Sequence, residues 1–272
     1  MPSRRQRKLD VVVAGLQLQY GPRAVRRAVG RPAEPVPCIA TTFPALDAAL
    51  APHGAEEQRG GGAGEQGGGG LPRGRISEII GPATSGKVTL AAKVLTAAQS
   101  ERDALVAWLD LGRTCDPDYL DRCGLDLNRL LIVHPEDGAG ALAIALHLVE
   151  SNTLAALVFD GLADLSPGDE PPATRGFPSA GLVDGILERL ATVVTQTQTV
   201  VLFLTEPYAQ SRTLAHVATV RLAIRRERWI TRDGDVRGYE GRVEILKHKL
   251  GRAGALVPVR ITFNGTVRGD GL

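Results

Sequence analysis

Leu71-Pro-Arg-Gly-Arg-Ile-Ser-Glu-Ile-Ile-Gly-Pro-Ala-Thr-Ser-Gly-Lys-Val88 is the stretch on which the fold turns. Its run 76–80 is rich in Ile, as a buried strand is. Gly81, Pro82, Ala83, Thr84, Ser85, Gly86 and Lys87 then match G-x-x-x-x-G-K, and helical periodicity begins near Val88. A strand, a glycine-bounded turn and a helix in that order make a polyphosphate cradle. The turn aims successive N–H groups at one anion, the helix N-terminus adds positive potential, and the lysine reaches the terminal phosphates. One position departs from the motif. A Ser or Thr hydroxyl should follow the lysine to ligate Mg²⁺, and Val88 stands there. Thr89 comes next, but one residue along a helix turns a side chain by roughly 100°. It does not simply inherit the role. The competing reading of the segment is a strand-to-helix turn that binds nothing.

Outward from this segment the chain alternates apolar β-type runs with helical patterns, which points to an α/β fold. Strands are expected at 76–80, 104–109, 130–133, 155–159 and 200–204, and helices at about 88–99, 141–150 and 181–196. The strand runs are almost continuously apolar, so a mostly parallel sheet flanked by helices on both faces follows. Residues 221–263 alternate instead, with Gly between runs, and predict antiparallel strands extending the sheet. Before the core, 9–19 carry Leu9, Val12, Val13, Leu16 and Leu18 near a helical period, ended by Gly21-Pro22. Residues 45–50 suggest a short helical turn. The run 59–70 is nearly all glycine, follows no strand and opens no helix, so it reads as a flexible surface insertion. The expected organisation is an N-terminal helical segment (1–50), the insertion (51–70) and the core (71–272).

A length of 272 residues with 43% hydrophobic and 23% charged residues permits a large core and argues against a disordered or coiled-coil chain. No apolar run reaches the ~18 residues of a membrane span, and no signal-type segment follows the charged start. A soluble cytoplasmic protein is expected, with no membrane partner. Cys38, Cys115 and Cys123 show no Cys-x-x-Cys spacing, so neither a disulfide framework nor a metal site is indicated. Charge is unevenly spread. Residues 1–31 carry eight basic and one acidic side chain (+7), residues 221–252 ten and five (+5), and residues 32–220 twelve and twenty-three (−11). Basic ends suit nucleic-acid phosphates or an acidic neighbour, and equally a solvated Arg-rich surface.

The segment 71–87, Asp116-Pro-Asp-Tyr119, Gly124-Leu-Asp126, Val158-Phe-Asp160, Arg221-Leu-Ala-Ile-Arg-Arg and Arg242-Val-Glu-Ile-Leu-Lys247-His-Lys249 together resemble the ATPase core of the RecA-like recombinases, over about residues 9–265. Only seven residues follow Gly265, so the family's separate C-terminal domain is not expected here. The resemblance implies a RecA-like P-loop core that binds ATP. Asp116 and Tyr119 match adenine contacts, and Asp160 matches the carboxylate that supports Mg²⁺ through its water shell. It also implies damage. Gly112 stands where the family carries a water-activating glutamate, and Glu206 where a glutamine senses the γ-phosphate. With Val88, these make three degenerate positions, and the Mg²⁺ dependence of nucleotide binding is open. Losing general-base catalysis forfeits about 10²- to 10⁴-fold in rate.

Two family loops that line single-stranded DNA correspond to about 166–180, where Arg175 is the one cation, and to 207–218, which keeps Tyr208 and Arg212. Lys247 and Lys249 are two of only five lysines, and their i, i+2 spacing puts both on one strand face. In the family this pair reaches a neighbouring subunit's ATP phosphates, which implies a homo-oligomer or a hetero-filament with a RecA recombinase. Taken singly, Asp116 before Pro117 also reads as a turn opener, Asp160 as a loop cap, and the lysines as a charged strand edge. Three readings stand: a nucleotide-binding accessory or regulatory factor in DNA repair and recombination, alongside the SOS response or translesion synthesis, with little or no hydrolysis; an active DNA-dependent ATPase using Glu206 or Asp110 as base; and a scaffold whose loop is vestigial.

Overall fold

A computed structural model of the chain describes residues 4–21, 36–52, 68–161, 180–209, 211–264 and 266–271. They fall into two compact units, Met1–Glu34 and Pro35–Leu272. The first is helix α1 (Arg4–Tyr20), which starts earlier than the apolar period suggests. Arg4, Arg5, Arg7 and Lys8 are good helix formers and extend it without contributing to that period.

The second unit begins with β1 (Cys38–Ile39) and α2 (Pro44–Ala49), followed by β2 (Leu71–Pro72) and β3 (Arg75–Ile80). Residues 44–50 were grouped with the N-terminal segment by sequence. Yet Leu46 and Leu50 are fully buried in the same cluster as Leu90 and Leu95, so they belong with the core. At the end of the glycine run the backbone packs closely. Residues 53–67 lie outside the described residues, but β1 pairs antiparallel with β2, which brings Gly70 against β1. A Cβ on Gly70 would lie 2.3 Å from the Ile39 carbonyl oxygen, and its φ is +139°. This glycine is required by close backbone approach.

The chain continues through α3 (Lys87–Ala98), β4 (Leu105–Asp110), α4 (Pro117–Arg122), β5 (Leu130–Val133), α5 (Gly138–Glu150), β6 (Leu154–Asp160), α6 (Ala180–Val194), β7 (Val200–Thr205) and α7 (Arg212–Val217). It closes with β8 (Val220–Arg232), β9 (Asp235–His248), β10 (Leu256–Asn264) and β11 (Thr266–Gly271). Nine strands form one sheet in the order β11-β10-β9-β8-β3-β7-β6-β4-β5. The strands from β8 to β5 in that order run parallel, and β9, β10 and β11 add antiparallel pairs at one side. This is the expected α/β arrangement.

Period-two alternation explains why the central strands read as unbroken apolar runs. Val106 and Trp108 of β4, Val158 of β6 and Leu202 and Leu204 of β7 face a core that holds α2 and α3. Ala107, Leu109, Leu157, Phe159, Val201 and Phe203 face a second core with α5, α6 and α7. Phe159 and Phe203 stack with centroids 5.0 Å apart. Burial on both faces removes any polar register from these strands. Among the described residues, no helix is long and apolar enough to cross a membrane.

Candidate nucleotide site

The topology places β3 between β7 and β8, so the turn leaving β3 lies beside the exits of two parallel neighbours. Register pairs Ile80 with Thr205, and Gly81 N–H donates to the Thr205 carbonyl at 3.0 Å. Residue 206 is therefore held next to the turn by the sheet. Within the turn, Ser85 N–H donates to the Pro82 carbonyl at 3.1 Å, and Leu90 N–H donates to the Gly86 carbonyl as α3 begins. The first N–H groups of α3 have no partner within the helix, as at any helix N-terminus, and such donors suit an anion. Thr84 has a φ of +60° and Gly86 one of +102°. A Cβ on Gly86 would lie 2.5 Å from the Tyr239 hydroxyl, so glycine is needed there twice over. The Ser85 hydroxyl is buried without a hydrogen-bond partner. Unpaired amides and an unpaired hydroxyl fit a polyphosphate oxygen.

The metal half of the site does not fit. Val88 offers no oxygen. The Thr89 hydroxyl is 2.6 Å from the Tyr119 hydroxyl and 3.3 Å from that of Tyr239, and it is buried among them. Burial pushes the Tyr239 phenol up to about 12 and raises Tyr119 as well, so both stay neutral hydroxyls. Asp160 ends β6 beside Asp110 at the end of β4. Burial pushes Asp160 up to about 6, the Lys87 charge opposes this, and Asp110 and Glu206 add to it. Among the described residues no group of three or more His, Cys, Asp or Glu is gathered for a metal ion.

Lys87 is almost enclosed, with its side chain 11% exposed. Its ammonium donates to the Gly81 carbonyl at 3.1 Å and is ion-paired with the Glu206 carboxylate. The sequence places Glu206 against a phosphate; the structure places it against the lysine that would bind one.

Other expected site residues disperse into local roles. One oxygen of Asp116 caps α4, accepting from Asp118 N–H at 3.0 Å and Tyr119 N–H at 3.2 Å. Gly112 is exposed just past β4, and a Cβ there would meet nothing nearer than a Thr114 methyl at 3.5 Å. Asp110 is fully buried and accepts from the Thr114 and Cys115 amides at 3.0 and 2.9 Å. Lys247 donates to the Ala215 and His216 carbonyls at 2.7 and 2.9 Å, and Lys249 to those of His216 and Val217 at 2.8 and 3.3 Å. Together they close the C-terminus of α7. Tyr208 and Arg212 are exposed on either side of the start of α7, and Arg175 lies outside the described residues.

Two residues that sequence reading did not single out complete the turn. Arg226 donates to the Thr84 carbonyl and hydroxyl at 3.1 and 2.9 Å while its guanidinium lies 4.0 Å from the Trp229 ring centroid. Tyr239 pairs across the hairpin with Trp229. The Asp233-Gly234 turn, with both residues at positive φ, sets that hairpin, and such a dipeptide between apolar runs was the available signal.

Residues 63–268 match the family model described as the RecA N-terminal domain. The chain belongs to the RecA family. It is 32% identical over 263 residues to the protein RecA of Streptomyces avermitilis, covering 90% of this chain and 65% of that one. It is 32% identical over 266 residues to the protein RecA of Leifsonia xyli, covering 92% and 70%, and 33% identical over 263 residues to that of Clavibacter michiganensis, covering 90% and 68%. The chain thus spans about 65% of the length of the first of these RecA relatives.

Proposed function

We propose that this RecA-family chain binds an adenine nucleotide through residues 81–87, hydrolyses it slowly or not at all, and serves DNA repair or recombination as an accessory or regulatory subunit. One observation carries the reading. The phosphate-turn lysine is retained, while Val88, Gly112 and Glu206 stand where the family resemblance implies the metal hydroxyl, the base and the neutral sensor. Asp116 and Tyr119 would border the base, and one Asp116 oxygen remains available beyond its capping bonds. A displaced general base is disfavoured, because Asp110 is committed to two amides and Glu206 to Lys87.

The partner would be a second RecA-type subunit, in a homo-oligomer or in a filament with a recombinase. Lys247 near the end of β9 and Lys249 just beyond it lie at the end of the sheet where β8 starts, opposite the end that carries the phosphate turn. They cannot serve their own chain's nucleotide from there, which supports a contact in trans. Single-stranded DNA contact would come from the segments bearing Arg175, Tyr208 and Arg212. The test is steady-state phosphate release from ATP, with and without single-stranded DNA. Release at background level supports the reading, whereas DNA-stimulated turnover near the common enzyme range of about 1–10³ s⁻¹ rejects it in favour of an active ATPase.

A further inference from the structure

The reading above leaves open which phosphate chain the site accepts, and the charges around Lys87 decide it. Glu206 reaches Lys87 because β7 and β3 are adjacent and in register, and Gly81 N–H on the Thr205 carbonyl fixes that spacing. The pair is half-enclosed, the lysine side chain 11% exposed and the glutamate 21%. Asp160 and Asp110 lie side by side at the ends of β6 and β4, and the Lys87 charge acts on Asp160. Lys87 therefore meets a carboxylate directly while Arg226 is held on Thr84 of the turn, and Val88 supplies no side-chain ligand for a divalent ion that would offset the negative charge.

Two phosphates would rest on the turn, the Ser85 hydroxyl and the start of α3, the second sharing the Lys87 ammonium with the Glu206 carboxylate. A third phosphate needs the Lys87 ammonium and must either displace the Glu206 carboxylate or lie against it. Like charges brought together in a poorly solvated site repel strongly, and breaking a half-buried ion pair leaves one charge uncompensated.

We propose that Glu206 makes this a nucleoside-diphosphate site: its carboxylate stands on Lys87 in place of a third phosphate, so the turn holds ADP in preference to ATP and does so without a divalent cation. This rests on the nucleotide-binding reading and names its ligand.

The test uses the full chain in EDTA, titrated with fluorescent N-methylanthraniloyl ADP and ATP. Wild type is expected to bind the diphosphate about tenfold more tightly than the triphosphate, about 1.4 kcal/mol. Glu206→Gln, close to isosteric, is expected to bring the two within about twofold by strengthening the triphosphate much more than the diphosphate. Glu206→Ala must move the ratio the same way, which guards against a folding artefact in either variant. Equal or tighter ATP binding by wild type, or a ratio unmoved by both substitutions, overturns the inference while leaving the nucleotide site intact. Binding of neither probe overturns the nucleotide reading itself and the inference with it.

Discussion

Replacing both Lys247 and Lys249 with alanine separates a role inside the chain from a role between chains. In this chain the two ammoniums donate four hydrogen bonds, from 2.7 to 3.3 Å, to the carbonyls of Ala215, His216 and Val217. Those carbonyls end α7, a six-residue helix too short to be stable alone. A cation at a helix C-terminus contributes about 0.3–1 kcal/mol when exposed. Burial lowers the pKa of Lys247, and the charge of Lys249 lowers it further, so the two repel. We therefore expect the double variant to lose about 1–2 kcal/mol, less than four charge-assisted bonds would suggest in isolation. At about 2–4 °C per kcal/mol for a chain of this size, Tm should fall by about 2–8 °C. Lys249→Ala alone should cost much less, because Lys247 still covers His216 and sheds a like-charged neighbour. Amide exchange gives the local readout, at the Ala215 and Ala218 N–H groups bonded to Ser211 and Leu214. Unchanged exchange and unchanged Tm in the double variant would refute the capping argument and leave the lysines for a neighbour alone.

Restoring the three divergent positions together, as Val88→Thr, Gly112→Glu and Glu206→Gln, should raise ATP turnover at least about 100-fold over wild type, the lower range for a positioned base. Gly112 has room for a side chain, so turnover at the wild-type level in a folded, ATP-binding triple variant would count against the proposal that these positions limit hydrolysis. Asp160 makes the free protein pH-sensitive. Its folded pKa of about 6 exceeds the ordinary 3.8, so the folded state keeps an extra proton between those values and stability falls as pH rises through that window. Asp160→Asn should accordingly be more stable than wild type by about 1–3 kcal/mol at pH 8 and close to it at pH 4, read from urea midpoints; an equal difference at both pH values would contradict this. Arg226→Ala should weaken nucleotide binding without unfolding the core, because it frees the Thr84 carbonyl that shapes the turn. Unaltered affinity would show that the turn holds itself.

The sheet and the phosphate turn were legible because their signals are local. Five apolar runs bounded by helical patterns specify buried parallel strands, and Gly81 to Lys87 needs only its neighbours to be recognised. What sequence could not supply were pairings fixed by strand order. The Lys87–Glu206 pair spans 119 positions and exists because β7 lies beside β3. The identity of Glu206 signalled a charge conflict, but not that the conflict is resolved by the lysine. Likewise the spacing of Lys247 and Lys249 predicts one strand face, whereas β9 ends at His248 and both lysines meet a helix end that comes from a separate stretch of chain. Tyr239 over Gly86 needed the bulged register of β8 on β9, and a bulge leaves no fixed local pattern. Gly70 was misread because a glycine run looks the same whether it is loose or packed to the backbone.

The central claim is that residues 81–87 still bind polyphosphate. Calorimetric titration of ADP into wild type and Lys87→Ala tests it most directly. The account predicts saturable one-site binding by wild type and loss of at least about tenfold in affinity in the variant. Absence of heat in both proteins, or equal binding by both, would contradict it.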